Sequence, residues 1–437
     1  MKSASKANSS PVKLNIAIIG AGVGGLSTAI ALKREGHTVT VYEQASALSE
    51  VGAGIQIPPN SSRILHSWGL KPSLERRSVK PTSIIWRRWQ DGSVIGNARL
   101  NPRSEKFGSP YYVTHRAHLH DALHERAQEL GVLVKLRKRV ERYEAEEGVV
   151  RFADGDIVRS DLVVAADGLK SFARKILNGH KDKGPYGHGL AAYRSTVSMD
   201  AIRADPQLRW IADSPSLNLW VGYNLHVMSY AIAGGEQYNL VLTHPTSSAN
   251  IQPISSAESL ATMRAHYTRW DPALRRLLDL VTETVEWPIH AIDIPEKWSS
   301  DSGKLVIIGD AAHAMVPYMA LGAAMAVEDA AALAAALNHL TSKEELVNVI
   351  SKWTAMRKPR VAHIHQASYS HGLILHLPDG PVQEARDEAL KGELLETPIT
   401  ESPNQWSDPT LTEWVYSYRP EVHINESWEL LQVEAKL

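Results

Sequence analysis

A glycine cluster set between a β-branched apolar run and a helix constrains this chain more than any other feature. Leu14 to Ile19 reads as a buried parallel strand, and Gly20-Ala21-Gly22-Val23-Gly24-Gly25 follows it directly. A helix is expected from about Gly24 to Glu35, ending at Gly36, with Thr38 to Tyr42 (TVTVY) as the next strand. Gly20 permits the tight turn, Gly22 lets the backbone approach a pyrophosphate, and Gly25 lets helix and strand pack closely. The helix N-terminus offers unpaired N–H groups to phosphate oxygens. Glu43 ends the second strand, where a carboxylate accepts hydrogen bonds from a ribose diol and repels a 2′-phosphate. Together these features predict a dinucleotide-binding βαβ unit.

Two later segments have the same strand-then-turn character. Asp161 to Ala166 (DLVVAA) leads into Asp167-Gly168-Leu169-Lys170-Ser171-Phe172-Ala173-Arg174, which by itself is only a turn signal. Leu305 to Ile308 leads into Gly309-Asp310-Ala311-Ala312-His313, and an Ala-rich helix is expected from about Gly322 to Leu340. An acid at a strand end suits a polyol chain, and the start of a helix suits a second phosphate or a developing negative charge. An N-terminal helix cap at Asp310 is the plainer reading. Between these layers, Leu217 to His244 alternates apolar and aromatic residues with Gly and Asn breaks, as antiparallel strands do.

Bulk properties narrow the classes. The 47 basic and 48 acidic side chains nearly cancel, which argues against nucleic acid as a partner. Cysteine is absent, which removes disulfides, thiolate metal sites and redox-active dithiols. The apolar stretch from Ile16 to Leu32 is broken by four glycines, and no other segment suits a membrane span. A cytoplasmic protein, either a monomer or a homodimer, is expected.

The motifs, in this order, resemble the single-component (class A) FAD-dependent aromatic monooxygenases, most closely the salicylate hydroxylase-like branch abundant in fungi. The resemblance runs from about Lys13 to Asp387. It is carried by GAGVGG at 20–25, EVGAGIQIPPNSSRIL at 50–65, HRAHLHDAL at 115–123 and AADGLKSFAR at 165–174. HVMSY at 226–230, GDAAHAMVPYMALGAAMAVEDA at 309–330 and HLPDGPVQEARD at 376–387 complete it. It implies an α/β fold like that of p-hydroxybenzoate hydroxylase, in which a Rossmann-type FAD-binding domain interleaves with a substrate domain on an antiparallel sheet, with C-terminal helices. The expected divisions are a disordered 1–12, FAD-binding parts at 13–185 and 301–380, a substrate sheet at 186–300 and an extension at 381–437.

The resemblance also implies roles. Gly20, Gly22, Gly25 and Glu43 would hold the ADP half of FAD, Arg116 would reach the cofactor, and Gly54 would lie beside the flavin. Asp310 would bind the ribityl chain, Gly322 and Ala323 the pyrimidine end of the ring, and Pro317 would line the pocket. Asp167 belongs to the segment linked to both FAD and the nicotinamide cofactor. NADH or NADPH would reduce FAD, and O2, activated at the flavin, would hydroxylate a small phenolic or aromatic carboxylic substrate, with loss of CO2 if a carboxylate sits on the attacked carbon. Where relatives often have an amide before the glycine of P-Y-x-x-Q-G, this chain has Leu321, which puts a simple salicylate assignment in doubt.

A phenolate needs a cation or a hydrogen-bond donor aimed at its oxygen. The inserted sheet offers Arg194, His226 and Tyr230, with Arg194 the first choice because fungal relatives hold substrate with an Arg and a Tyr on this sheet. Each has a plainer reading: a surface ion pair, a satisfied core histidine, and a half-buried strand aromatic. His115, His118 and His120 sit close together, but positions two apart on a helix, such as 118 and 120, do not share a face, so a metal site is not expected. Rival functions are an FAD-dependent epoxidase or oxidative-rearrangement enzyme of indole or polyketide metabolism, and a non-catalytic nucleotide sensor.

Overall fold

The computed structural model describes residues 12–48, 53–247, 257–395 and 399–434. The expectation of a disordered N-terminus therefore lies almost wholly outside the described residues. Largely apolar, β-branched runs build a five-stranded parallel sheet, fully buried at its centre and exposed toward the Leu133–Lys135 edge. Its spatial order is Leu305–Ile307, Leu162–Ala165, Asn15–Ile19, Thr38–Tyr42 and Leu133–Lys135. Ile16 pairs with Leu162 on one side and Val39 on the other, so three strands distant in sequence share one register. Helix Val23–Arg34 packs along the Ala-rich helix Gly322–Leu337. That places the first and last nucleotide-type motifs side by side.

A seven-stranded sheet forms the second layer, in the order Val285–Ala291, Tyr186–Ser198, Gln237–Pro245, Leu225–Ile232, Leu217–Gly222, Ser83–Arg88 and Val94–Arg99. The last two strands come from the segment expected to bind nucleotide. They join the inserted sheet through a parallel pairing of Leu217–Gly222 with Ser83–Arg88. Alternation along the strands separates two cores. Tyr193, Trp220, Val227, Leu240 and Leu242 face Met263, Leu274, Leu277 and Leu278 of helices Ala257–His266 and Pro272–Asp279. Ala192, Leu217, Leu219, Val221, Met228 and Tyr230 face the other way, into the core of the parallel sheet.

Register then fixes which candidate residues share the inward face. His226 opposes Thr243, which opposes Ala192; Met228 opposes Val241, which opposes Arg194; Tyr230 opposes Asn239, which opposes Thr196. Directly opposed side chains lie on one side of a sheet, so Arg194, His226 and Tyr230 all look toward the nucleotide layer.

The C-terminal region is helical. Leu346–Leu375 is followed by Pro381–Leu390, Pro409–Tyr416 and Pro420–Glu434. Each of the last three opens on proline, whose missing N–H costs nothing in a first turn. Among the described residues no helix is long and apolar enough to cross a membrane.

Candidate active site

Gly20 turns the chain with φ at +102°, and a Cβ there would lie 2.4 Å from the Ala166 carbonyl oxygen. At Gly25 a Cβ would lie 1.9 Å from the Gly20 carbonyl oxygen, which is the close helix–strand approach expected of it. Gly22 differs, because nothing in the protein lies within 4 Å of the Cβ position. Glu43 ties the loop to the second strand: its carboxylate accepts from the Ala21 N–H and the Ala45 N–H, both at 2.8 Å. The buried His120 ring, from helix Arg116–Glu129, bonds the Ala21 carbonyl at 2.7 Å. His120 therefore props the glycine loop, and among the described residues no group of three acid or histidine side chains could hold a metal.

The Gly-Asp motif reaches the same place from the other end of the chain. A Cβ on Gly24 would lie 3.5 Å from the Ala326 Cβ, and one on Gly309 would lie 3.3 Å from the same atom. The first turns of helices Val23–Arg34 and Gly322–Leu337 therefore lie together, and two positive helix ends serve one region. Asp310 is exposed at the strand end, while Gly322 and Ala323 are half-buried at the start of the Ala-rich helix. Ala320, just before, has φ at +56°, a conformation most side chains avoid.

Behind this motif lies a buried ionic network. Asp329 accepts from the Gly309 N–H at 3.1 Å and bonds His313 at 2.6 Å, and Arg357 donates to it at 3.0 Å. Glu328 accepts from Arg357 at 3.0 Å, from Arg360 at 2.8 Å and from Asn60 at 2.8 Å. Burial opposes ionisation of Asp329, but His313 and Arg357 outweigh it and hold its carboxyl down at about 2. Burial likewise opposes ionisation of Glu328, and Arg360 and Arg357 hold it below its ordinary value. The sequence motif contains Glu328, Asp329 and His313 but not Arg357 and Arg360; two arginines three apart on the next long helix were the signal available.

Asp167 combines a structural and an open role. One carboxylate oxygen accepts from the Phe172 and Ala173 N–H groups at 3.0 and 3.1 Å, capping helix Phe172–Asn178. The other is buried with no hydrogen-bond partner in the protein, and burial raises its pKa.

On the substrate-sheet side, the Tyr230 ring seals Gly54, where a Cβ would meet the ring at 2.4 Å, and the Gly54 N–H donates to Asn239 at 2.7 Å. Burial raises the Tyr230 phenol above its ordinary range, against the pull of Arg194 and a bond to Gln56. Arg194 stands 5.5 Å over the Trp287 ring, and its Nε is buried without a hydrogen-bond partner. Burial lowers its pKa, and the nearby Arg116 guanidinium lowers it further. Two cations thus share the junction between the sheet and the nucleotide loop.

His226 sits on the same face with both ring nitrogens engaged, Nδ1 with His376 at 2.7 Å and Nε2 with Thr243 at 3.1 Å. Leu321 is buried at 2 % exposure, so an apolar side chain stands where the resemblance led to the expectation of an amide. A separate cleft of about 540 Å³, lined by Trp298, Asp301, Val347 and Lys358, contains none of these residues.

The fit to FAD rests on three observations. Free space stands over Gly22 in a loop otherwise packed to contact, Asp167 presents an unpartnered buried oxygen, and Asp310 is exposed where a polyol chain would pass. Comparison with known proteins agrees. The FAD binding domain family matches residues 13–368. The FAD-dependent monooxygenase OpS4 of Beauveria bassiana (strain ARSEF 2860) is 35% identical over 93% of this chain and 95% of its own. The 3-amino-4-hydroxybenzoate 2-monooxygenase PtmB3 of Streptomyces platensis is 36% identical over 86% of this chain and 92% of its own. Among solved structures, CtdE in complex with FAD and a substrate shares the fold, with a TM-score of 0.83, 22% identity and coverage of 97% of this chain and 100% of that one. The chain belongs to the FAD binding domain family, within the class A FAD-dependent monooxygenases.

Proposed function

We propose that this enzyme uses NADH or NADPH and O2 to hydroxylate a small phenolic or aromatic carboxylic substrate held between the inward face of the seven-stranded sheet and the flavin. The observation that carries this reading is Arg194. A guanidinium whose Nε is buried without a partner, beside a second cation and an indole, is a costly arrangement unless an anion completes it. A phenolate or carboxylate supplies that charge, and Trp287 supplies an aromatic surface.

FAD, when bound, would supply the chemistry that activates O2, with NADH or NADPH as its reductant. Gly20, Gly22, Gly25 and Glu43 would hold its ADP half, with Asp310 at the ribityl chain, Gly322 and Ala323 at the ring, and Asp167, Arg116 and Gly54 around it. Arg194 binds the substrate anion and favours its ionised form. Tyr230, sealed against Gly54, orients the ring and excludes water from that side. The relative's name, 3-amino-4-hydroxybenzoate 2-monooxygenase, supports a substrate of this chemical type. The apolar Leu321 favours a second reading, epoxidation or rearrangement of a larger indole or polyketide.

The test is a screen of hydroxybenzoates, salicylate and larger phenols and indoles, scored by product mass and by product formed per NAD(P)H consumed. A coupled product gaining one oxygen supports oxygen transfer, and whether a small phenol or a larger indole or polyketide is the substrate that yields it separates the two readings. Arg194→Ala retaining FAD with unchanged coupled product formation would exclude Arg194 from binding the substrate anion.

A further inference from the structure

One row of side chains on the seven-stranded sheet runs from the proposed substrate anchor to the far side of the inward face. Arg194 opposes Val241, Val241 opposes Met228, Met228 opposes Leu219 and Leu219 opposes Trp86, so five strands contribute one side chain each. Exposure falls along this row. Arg194 and Val241 are half-buried, and Val241 is the only interior position of strand Gln237–Pro245 that is not buried. Met228 is 7 % exposed, and Leu219 and Trp86 are fully buried. The open part of the row therefore ends at Met228, two strands from Arg194, which is about 10 Å at about 4.8 Å per strand.

The C-terminal region covers the closed part. The His371 ring meets Trp86 edge-on at 5.7 Å and Trp406 edge-on at 4.6 Å, and the two indoles meet at 6.5 Å. Gly96, the partner of Trp86 on the edge strand, lies under Leu390 and Glu393, which a Cβ there would approach to 3.4 and 3.0 Å. The loop that carries Trp406 is tied to that same strand. The Trp406 N–H donates to Asn404 Oδ1 at 3.1 Å, and Asn404 Nδ2 donates to Glu393 at 3.2 Å. Glu393, itself buried, accepts from the Asn97 N–H at 2.7 Å. The Trp406 indole is thus placed relative to the substrate sheet. Packing alone does not account for the choice of side chains. Trp86 Nε1, Trp406 Nε1 and both ring nitrogens of His371 are buried without a hydrogen-bond partner among the described residues, and aliphatic side chains would fill the space without that cost.

We infer that Trp406 is a specificity-determining residue, which with His371 closes the inward face beyond Met228 and restricts the site to substrates of one aromatic ring. The inference rests on the reading of Arg194 as the anchor of the substrate anion. A single ring held at Arg194 lies over Val241 and reaches Met228. A second ring in line with the first runs into the closed end of the row. Removing the Trp406 indole opens that end and leaves Arg194, Tyr230 and the glycine turns in place.

The test uses FAD-loaded enzyme and two probes that differ by one ring, 4-hydroxybenzoate and 4′-hydroxybiphenyl-4-carboxylate, with binding read by titration calorimetry. Wild type is expected to bind the one-ring probe about a hundredfold more tightly, within the range by which an apolar pocket discriminates. Trp406→Ala is expected to lower that ratio about tenfold, the lower end of the same range, by gaining the two-ring probe and not by losing the one-ring probe. A merely structural role would weaken both probes together and leave the ratio in place. Trp406→Leu, which keeps apolar bulk for folding, is expected to give a smaller drop and decides the matter if Trp406→Ala does not retain FAD. An unchanged ratio in the folded variants, or a wild type that binds both probes equally, would overturn the size limit alone. A wild type that binds neither probe, or Arg194→Ala binding both as wild type does, would overturn the site reading and the inference with it.

Discussion

Replacing Gly22 with alanine separates what the protein needs for itself from what it needs for its cofactor. Gly22 is the N-cap of helix Val23–Arg34 with φ −71° and ψ −176°, a conformation alanine adopts freely. Its Cβ would stand in open space, with nothing within 4 Å. A poorer cap costs about 0.5–1 kcal/mol, and the smaller entropy of the unfolded chain returns about 0.4–1 kcal/mol. The apoprotein should therefore unfold within about 0.5 kcal/mol of wild type. The same methyl against a bound pyrophosphate is overpacking, which costs about 1–3 kcal/mol, or roughly 5- to 150-fold in affinity at 1.4 kcal/mol per decade. Urea unfolding of the deflavinated protein and a fluorescence titration with FAD read the two numbers separately. Gly25→Ala is the control, since its Cβ would sit 1.9 Å from a backbone oxygen and should damage the apoprotein itself. Wild-type FAD affinity in Gly22→Ala would refute the placement of the pyrophosphate.

Three further outcomes are expected. Arg194→Ala should retain FAD but lose most coupled product, measured as product per NAD(P)H; charged hydrogen bonds of this kind contribute about 1.5–3 kcal/mol each. Asp329→Asn should destabilise by about 3–5 kcal/mol, because it leaves Arg357 and His313 without their shared buried anion, and a urea midpoint shift reads it. His371, fully buried and held by burial near a pKa of about 3, remains neutral in the fold but takes up a proton when unfolded below about 6.5. The unfolded state then binds more protons, so the stability due to neutral His371 is present above pH 6.5 and is lost as pH falls toward 3. His371→Phe should flatten the dependence of stability on pH between 4 and 6 by about 1.4 kcal/mol per unit; an unchanged slope would show that His371 does not titrate on unfolding there.

The nucleotide half was legible because its signals are local. Gly20 to Glu43 is one contiguous unit whose turn, helix and strand each follow from neighbouring residues, and the structure reproduces it as Asn15–Ile19, Val23–Arg34 and Thr38–Tyr42. What could not be read depends on pairing across long separations. Nothing within Ser83–Arg99 announces that these strands will join a sheet assembled mostly from later residues. The alternation of Leu225–Ile232 puts His226 and Tyr230 on one face, but only the register through Gln237–Pro245 brings Arg194 to that face. C-terminal helices were expected, but the individual ones beyond Pro381 were not legible, because proline and acidic residues obscure short helices that begin on proline. His376 sits in a motif without an assigned role, since it ends helix Leu346–Leu375 while its partner His226 lies far off in sequence on strand Leu225–Ile232.

The ionic network behind the Gly-Asp turn is best understood through position rather than stability. Removing two carboxylates and two guanidiniums from water is expensive, and an apolar core of equal volume would be about as stable. Apolar packing, however, cannot choose which backbone group stands where. Asp329 grips the Gly309 N–H, and Glu328 reaches Asn60, at the start of the helix that follows the Gly54 strand. One pair of adjacent acids therefore fixes the turn that carries Asp310 and the strand sealed by Tyr230, while Ala326, near them on the same helix, abuts Gly24. Small residues at 322–324 and 326 allow this helix to approach the glycine turns closely, and the charges beyond them set its rotation and depth. The distances across the proposed flavin site are thus referred to a single helix, which is how segments far apart in sequence can present one surface.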